Sequence, residues 1–573
     1  MLRKLVFTTV FAAVLAATSF TVGCKPGDPN AFETHIEKLS DPKTQTEAMQ
    51  GIERIVSGIA ANDDATRRKE FAEKVLPKFE EIWADSPQFR EQMLAMATQM
   101  KQPEAVGIWT KALELDGSAE GHKQAIMALE GIRAANASAA AKPVIDALTK
   151  LKDSPNKDNA EGQPGALRYE MCKTLGDLHA KEAAPLLIEL LKQPEEQQPK
   201  AIYKAAAHAL GQIGDASAVS ELIAVQFRVA DVASTTSIPE MAIQAIGAIG
   251  EAAVPKLVET IEGKNTEVNE LAAEKGVEVT VVQQTALRIL GVVGSSKGTS
   301  AMVAYMPQAD CAVEPPPAPE DMQDDVSVRA FAANSLGFVG DPAAVKALCS
   351  CRNTTHNPGD LWEIVSALGR IGGDEAFECL KDIATNNFYN PDELPSSDFK
   401  YQIRWEGVRW MIIAAPPAKA ADIKTVVDAN DAKVKEEVEK LGWMKGAAVL
   451  DECKEDKACY EKVLADSTRD WFEREVAAFN YARMSEPGDI AAAANLAKAF
   501  KTRDPEARIN IAWLSAKVAA GKPCPECAKA LEDVMKAEEL TKEPTMQGAW
   551  LTARQTIAKV TAGAPAAAAT EAK

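Results

Sequence analysis

Histidine is almost missing from this chain: five in 573 residues, at 35, 122, 179, 208 and 356, no two of them in ligand or relay spacing. There is no H-E-x-x-H helix and no Gly-Lys-Ser/Thr phosphate loop, so zinc-peptidase and P-loop chemistry lack their residues. Positive charge is short as well. Sixty-four Lys and Arg against 83 Asp and Glu leave a formal charge of −19, which repels phosphate backbones and argues against a nucleic-acid partner. Aromatics make up only 6%. What is abundant is alanine and leucine, which favour helix. Beyond the first twenty or so residues, no run approaches the roughly 18 apolar residues that a membrane span needs.

The beginning of the chain differs from the rest. A basic "MLRK" precedes the apolar "LVFTTVFAAVLAATSF", and "TVGC" then ends at Cys24 before the polar "KPGDPN". This order reads as an export signal. With Val22, Gly23 and Cys24 it resembles a bacterial lipoprotein signal, which implies cleavage after residue 23 and a lipid on the Cys24 thiol. An ordinary secretory signal cut near Ala17 or Ser19 is the alternative, and export follows on either. By resemblance to enterobacterial lipoproteins, Lys25 after the cysteine implies the outer membrane, facing the periplasm.

A repeat fills the middle. In "VRAFAANSLGFVGDPAAV" (328–345) the residues Val328, Phe331, Ala332, Ser335, Leu336 and Val339 fall on one helical face. Gly340 can close that helix in the left-handed conformation, Asp341 can cap the next, and Pro342 suits its first turn. The pattern recurs with Gly176, Gly211, Gly247, Gly291, Gly337 and Gly369 in register, separated by 35, 36, 44, 46 and 32 residues. Where the first copy lacks its second glycine, His179 stands there, a residue that tolerates positive φ. Helix precedes each glycine pair, so "LGFVGD" is a turn between helices and not a phosphate cradle.

These residues resemble HEAT-like repeats, in the short subtype found in phycobilisome lyases. The resemblance implies an all-α fold, an α-solenoid of helical hairpins that presents a long concave face. It also implies that Arg329, with Arg508 as a second case, ladders against acidic turn residues such as Asp215, Asp341 and Asp374. The expected organisation is a signal at 1–23, a tether at 24–38, divergent repeats at 39–164, clear repeats at 165–386, divergent repeats at 387–560, and a disordered Ala/Pro-rich tail at 561–573. HEAT-like deoxyhypusine hydroxylases hold iron through His-Glu pairs, and this chain has no such dipeptide. No catalytic residue, metal ligand or cofactor is assigned.

Extra residues fall at 152–166, 228–240, 263–279, 310–325 and 386–399, always between one hairpin and the next. In a stacked array these connections share an edge, and that edge either binds a partner or simply tolerates length. Near the last insertion Phe388, Tyr389, Tyr401 and Trp405 form a candidate binding edge; core packing at a change of curvature is the other reading. Ten cysteines less Cys24 leave nine. Local disulfides are expected for Cys453 with Cys459 and for Cys524 with Cys527, further pairing among Cys311, Cys349, Cys351 and Cys379, and a free, buried Cys172. "CPEC" also permits thiol exchange, or zinc together with Cys453 and Cys459, although neither its sequence context nor its spacing is that of a redox or finger motif. The sequence therefore points to a non-catalytic, membrane-tethered scaffold for protein partners in the bacterial envelope. The alternatives are a lyase-like or thiol-exchanging enzyme subunit and a passive spacer.

Overall fold

A computed structural model of the chain describes residues 28–153, 164–231, 236–306, 327–351, 358–385 and 397–562. The leader with Cys24, most of the insertion residues, Phe388, Tyr389, Cys311 and residues 563–573 lie outside them. Among the described residues every regular element is helical. The chain separates into two compact units, Met1–Ile108 and Trp109–Lys573. In the first, helices including Gln45–Asn62, Ala65–Lys74 and Arg90–Met100 surround Phe32, Phe71 and Phe79, whose rings meet edge to face at 5.9 and 6.0 Å.

The second unit is the repeat array. Its first-of-pair helices are α1 (Pro164–Asp177), α2 (Lys200–Ile213), α3 (Ile238–Ile249), α4 (Val279–Val293), α5 (Val328–Val339), α6 (Pro358–Ile371) and α7 (Ser397–Ala414), and later α8 (Trp471–Arg483), α9 (Pro505–Ala519) and α10 (Gln547–Ala562). Each of α1 to α6 packs on the next, and the second helices form an outer row. The start of α5 shows why the helix begins there: Ser327 accepts a hydrogen bond from the Ala330 N–H at 3.1 Å. It ends at Gly340, with φ 67°, whose N–H donates to the Leu336 carbonyl. Asp341 then accepts from the Ala343 N–H, and the next helix opens through a 3-10 turn at Pro342–Ala344. His179 takes φ 50° at the equivalent point of the first copy.

The other glycine of each pair has a different task. Gly337 lies inside α5, where a Cβ would stand 2.8 Å from the Cα of Ala367 in α6. Gly211 faces Ala245 at 2.7 Å and Gly291 faces Ser335 at 3.0 Å in the same way. These positions are small because neighbouring helix backbones touch there, not because the chain turns.

Two expectations change. Residues 263–279 are not loop: Thr266–Glu274 is an extra helix that packs on Val219–Arg228 and buries Val268 and Ala272, four residues apart. The stretch Ile238–Ile261 does have the length and apolarity of a membrane span, yet the chain breaks at Gly250 (φ 71°, ψ −140°) and folds as a packed helical pair.

Helix propensity alone predicts that Gly337→Ala stabilises the protein by about 1 kcal/mol. The close approach to Ala367 predicts instead a loss of about 1–3 kcal/mol from overpacking. A chemical-denaturation midpoint that rises in Gly337→Ala contradicts the contact.

Candidate interaction surfaces

An open solenoid would leave the inner faces of α3 to α6 free. Here the chain turns back at α7 and covers them itself: α8 contacts α7, α9 packs on α8, and α10 packs on α9 and reaches α3 and α2. The long free concave face implied by the repeats is therefore occupied by later repeats of the same chain.

The returning helices carry donors aimed at the exposed ends of the earlier ones. Arg483 of α8 donates to the main-chain oxygens of Ile413 at 2.6 Å and Gly369 at 3.4 Å. In α9, Trp513 Nε1 donates to the Phe338 carbonyl at 2.7 Å and Lys517 Nζ to that of Gly340 at 3.3 Å. Lys559 of α10 donates to Val292 and Val293 at 2.9 and 3.3 Å. Each acceptor belongs to the last turn or C-cap of a helix, where carbonyls lack intrahelical partners and carry partial negative charge. Burial pushes the Lys517 and Lys559 amines down to about 8, with the nearby Arg483 charge adding to the effect at Lys517.

Nearer the turn-back lies a buried ionic cluster. Arg409 of α7 donates to both oxygens of Glu475 in α8, at 3.0 and 3.2 Å, and to Glu506 of α9. Asn510 donates to Glu475 at 2.7 Å and accepts from Arg370 at 3.1 Å. Burial works against the Arg409 charge, but Glu475, Glu506 and Glu406 hold the guanidinium well above its ordinary range. Burial raises Glu475 and, despite the same Arg409, lifts Glu406 to about 7. Glu506 moves the other way: burial would raise it, but Arg409 and Arg370 hold it low.

The sequence-assigned residues fall in several places. Gly176, Gly211, Gly247, Gly291, Gly337 and Gly369 sit at helix contacts. Arg329 does not ladder to the turn aspartates; it pairs with Asp360 at the start of α6, 3.5 Å away, because its helix begins beside the next helix's first turn. Arg508 pairs with Glu538 at 2.6 Å and donates to the Thr502 carbonyl. Asp215 and Asp341 cap 3-10 turns, Asp341 also accepting from Thr299 at 2.7 Å, and Asp374 opens the helix Asp374–Thr385. Tyr401 is half-buried under Lys433, 4.4 Å from its ring, and Trp405 is half-buried nearby. Cys453 is bonded to Cys459, Cys524 to Cys527 and Cys349 to Cys379, the last joining successive outer helices. Cys524 and Cys527 have no exposed surface. Cys172 is free and buried, and burial pushes its thiol up to about 12. One string, Gly294 to Gly298, spells G-x-S-x-G, but it joins two helices and not a strand to a helix.

A model of HEAT repeats matches residues 157–235 and 321–390. The chain carries HEAT repeats. No curated protein matches the chain significantly. Among solved structures, the crystal structure of Kap121p bound to Nup53p aligns with 93% of this chain and 75% of that one, at 11% identity and a TM-score of 0.20. The HEAT array keeps large apolar side chains in water at one end of its first-of-pair helices: Tyr169 in α1 (38% exposed), Val279 and Val281 in α4 (62% and 42%) and Trp362 in α6 (40%). All four follow closely on insertions or inter-repeat connections.

The ionic cluster has a pH signature. Folding raises the Glu406 pKa above its unfolded value, so the folded protein holds an extra proton between roughly pH 4.5 and 7. Its contribution to stability is present below that window and is lost as pH rises through it. Glu406→Gln removes this slope: relative to the unsubstituted protein, the variant's melting temperature should climb from pH 5 to pH 8. Parallel profiles would refute the assignment.

Proposed function

We propose that this HEAT-repeat protein is a non-catalytic scaffold of the bacterial envelope, held to the membrane by a lipid on Cys24, which binds other proteins along the insertion edge of its array. The observation that carries this is the contrast between two surfaces. The inner face, where solenoids present their concave surface, is faced by α8 to α10, which reach it through Arg483, Trp513, Lys517 and Lys559. The insertion edge leaves Tyr169, Val279, Val281 and Trp362 in water, and large exposed apolar residues are favoured contact points in interfaces. The leader "MLRKLVFTTVFAAVLAATSFTVGC" supports the anchor, and disulfide-bonded Cys349, Cys379, Cys453, Cys459, Cys524 and Cys527 suit an oxidising compartment. With a chain charge of −19, the fitting partner is an exported protein that brings apolar side chains flanked by basic ones.

Two measurements separate the anchor from the edge. Cys24→Ser should abolish palmitate labelling and release the protein from membranes; retention with full labelling removes the anchor. Photo-crosslinking residues placed at 281 and 362 should yield the same adduct from native membranes, weakened by high salt, whereas one at 529 on an outer helix should not. Identical adducts from all three positions, or none, would end the edge reading.

A further inference from the structure

Where the returning helices meet the earlier ones, α4, α5, α6, α9 and α10 line a half-open cavity of 280 Å³. Part of its wall is aromatic: Phe338 and Trp513 meet edge to face with centroids 5.8 Å apart. The polar part holds Arg288, Arg370 and Lys559 with the amides of Asn334 and Gln555, and none of the lining residues is acidic. In a chain with an excess of carboxylates, that is a local reversal of charge.

The three cations are not equivalent. Arg288 is answered by Glu240 at 2.7 Å, and Arg370 by Asn510 at 3.1 Å with Glu506 at 3.6 Å. Lys559 rests only on the Val292 and Val293 carbonyls, and among the described residues no carboxylate stands within ion-pair distance of it. A half-buried ammonium without a counter-ion is held at an energetic disadvantage that an entering anion would relieve. A cavity of about 150 Å³ accepts one benzene ring. The space here therefore admits a ring or short chain together with a charged group.

We propose that this cavity binds a small organic acid, a single carboxylate on an apolar body, with the carboxylate at Lys559 and the body against Phe338 and Trp513. The arrangement follows the usual design of ligand pockets, an apolar lining with few polar groups that fix orientation. The edge on which partners dock is a different surface, so the two readings stand or fall separately.

The test titrates the purified protein at pH 7 with 4-phenylbutyrate and its neutral amide, followed by calorimetry and thermal shift. The acid should bind saturably and raise the melting temperature, and the amide should bind at least tenfold more weakly. Lys559→Gln should weaken the acid tenfold or more without changing the amide. Thr552→Phe, which fills the cavity while keeping Lys559, should abolish binding of both, and it decides the matter even if Lys559→Gln fails to fold. No saturable binding of the acid, equal affinity for acid and amide, or binding that survives Thr552→Phe would overturn the proposal.

Discussion

The architecture depends on cations seated on helix ends. Folding a solenoid back on itself brings the C-terminal ends of its inner helices toward the C-terminal ends of the returning ones, and like poles repel. Arg483, Lys517 and Lys559 stand where those ends converge and donate to the carbonyls left over at the ends of α4 to α7. Each such placement contributes about 0.3–1 kcal/mol when exposed and up to about 2 when partly buried. Three in a row, spaced one repeat apart, set the register in which later helices lie against earlier ones.

The buried cluster of Arg409, Glu475 and Glu506 supports the same geometry from the turn-back. It joins α7, α8 and α9 through Arg409 and Glu475, which water barely reaches, and through Glu506, which stays partly exposed. Removing one member of such a group strands the others, so it specifies arrangement more strongly than it adds stability. Arg370 belongs both to this cluster, through Asn510, and to the cavity wall, where it lies over the Phe338 ring at 4.4 Å.

Much of the repeat unit could be read from residues alone. The face carrying Val328, Ala332, Leu336 and Val339, the left-handed Gly340 and the capping Asp341 all follow from spacing and local conformational preference. The role of Gly337 could not be read, because a glycine kept small by the next helix looks the same in sequence as one kept for a turn. The pairing of Arg329 with Asp360 was hidden for a similar reason: it depends on stacking offset. The fold-back was the largest omission. Its one sequence signal is "ARINIAWLSAKVAA", in which α9 is apolar on almost every side, a pattern that marks a helix covered all round. Lys517 and Lys559 gave no warning, since a lysine late in a helix ordinarily faces solvent.

The contact between Lys559 and Val292 links residues 267 positions apart. Repeat proteins generally assemble through neighbours only and can nucleate anywhere. Here the inner surface of α3 and α4 stays uncovered until α10 has emerged, so maturation of the middle waits on synthesis of residues 547–562, and non-local closure of this kind is slow. A premature stop ahead of residue 547 would leave a chain with intact hairpins and an exposed apolar trough, a natural target for quality-control proteases.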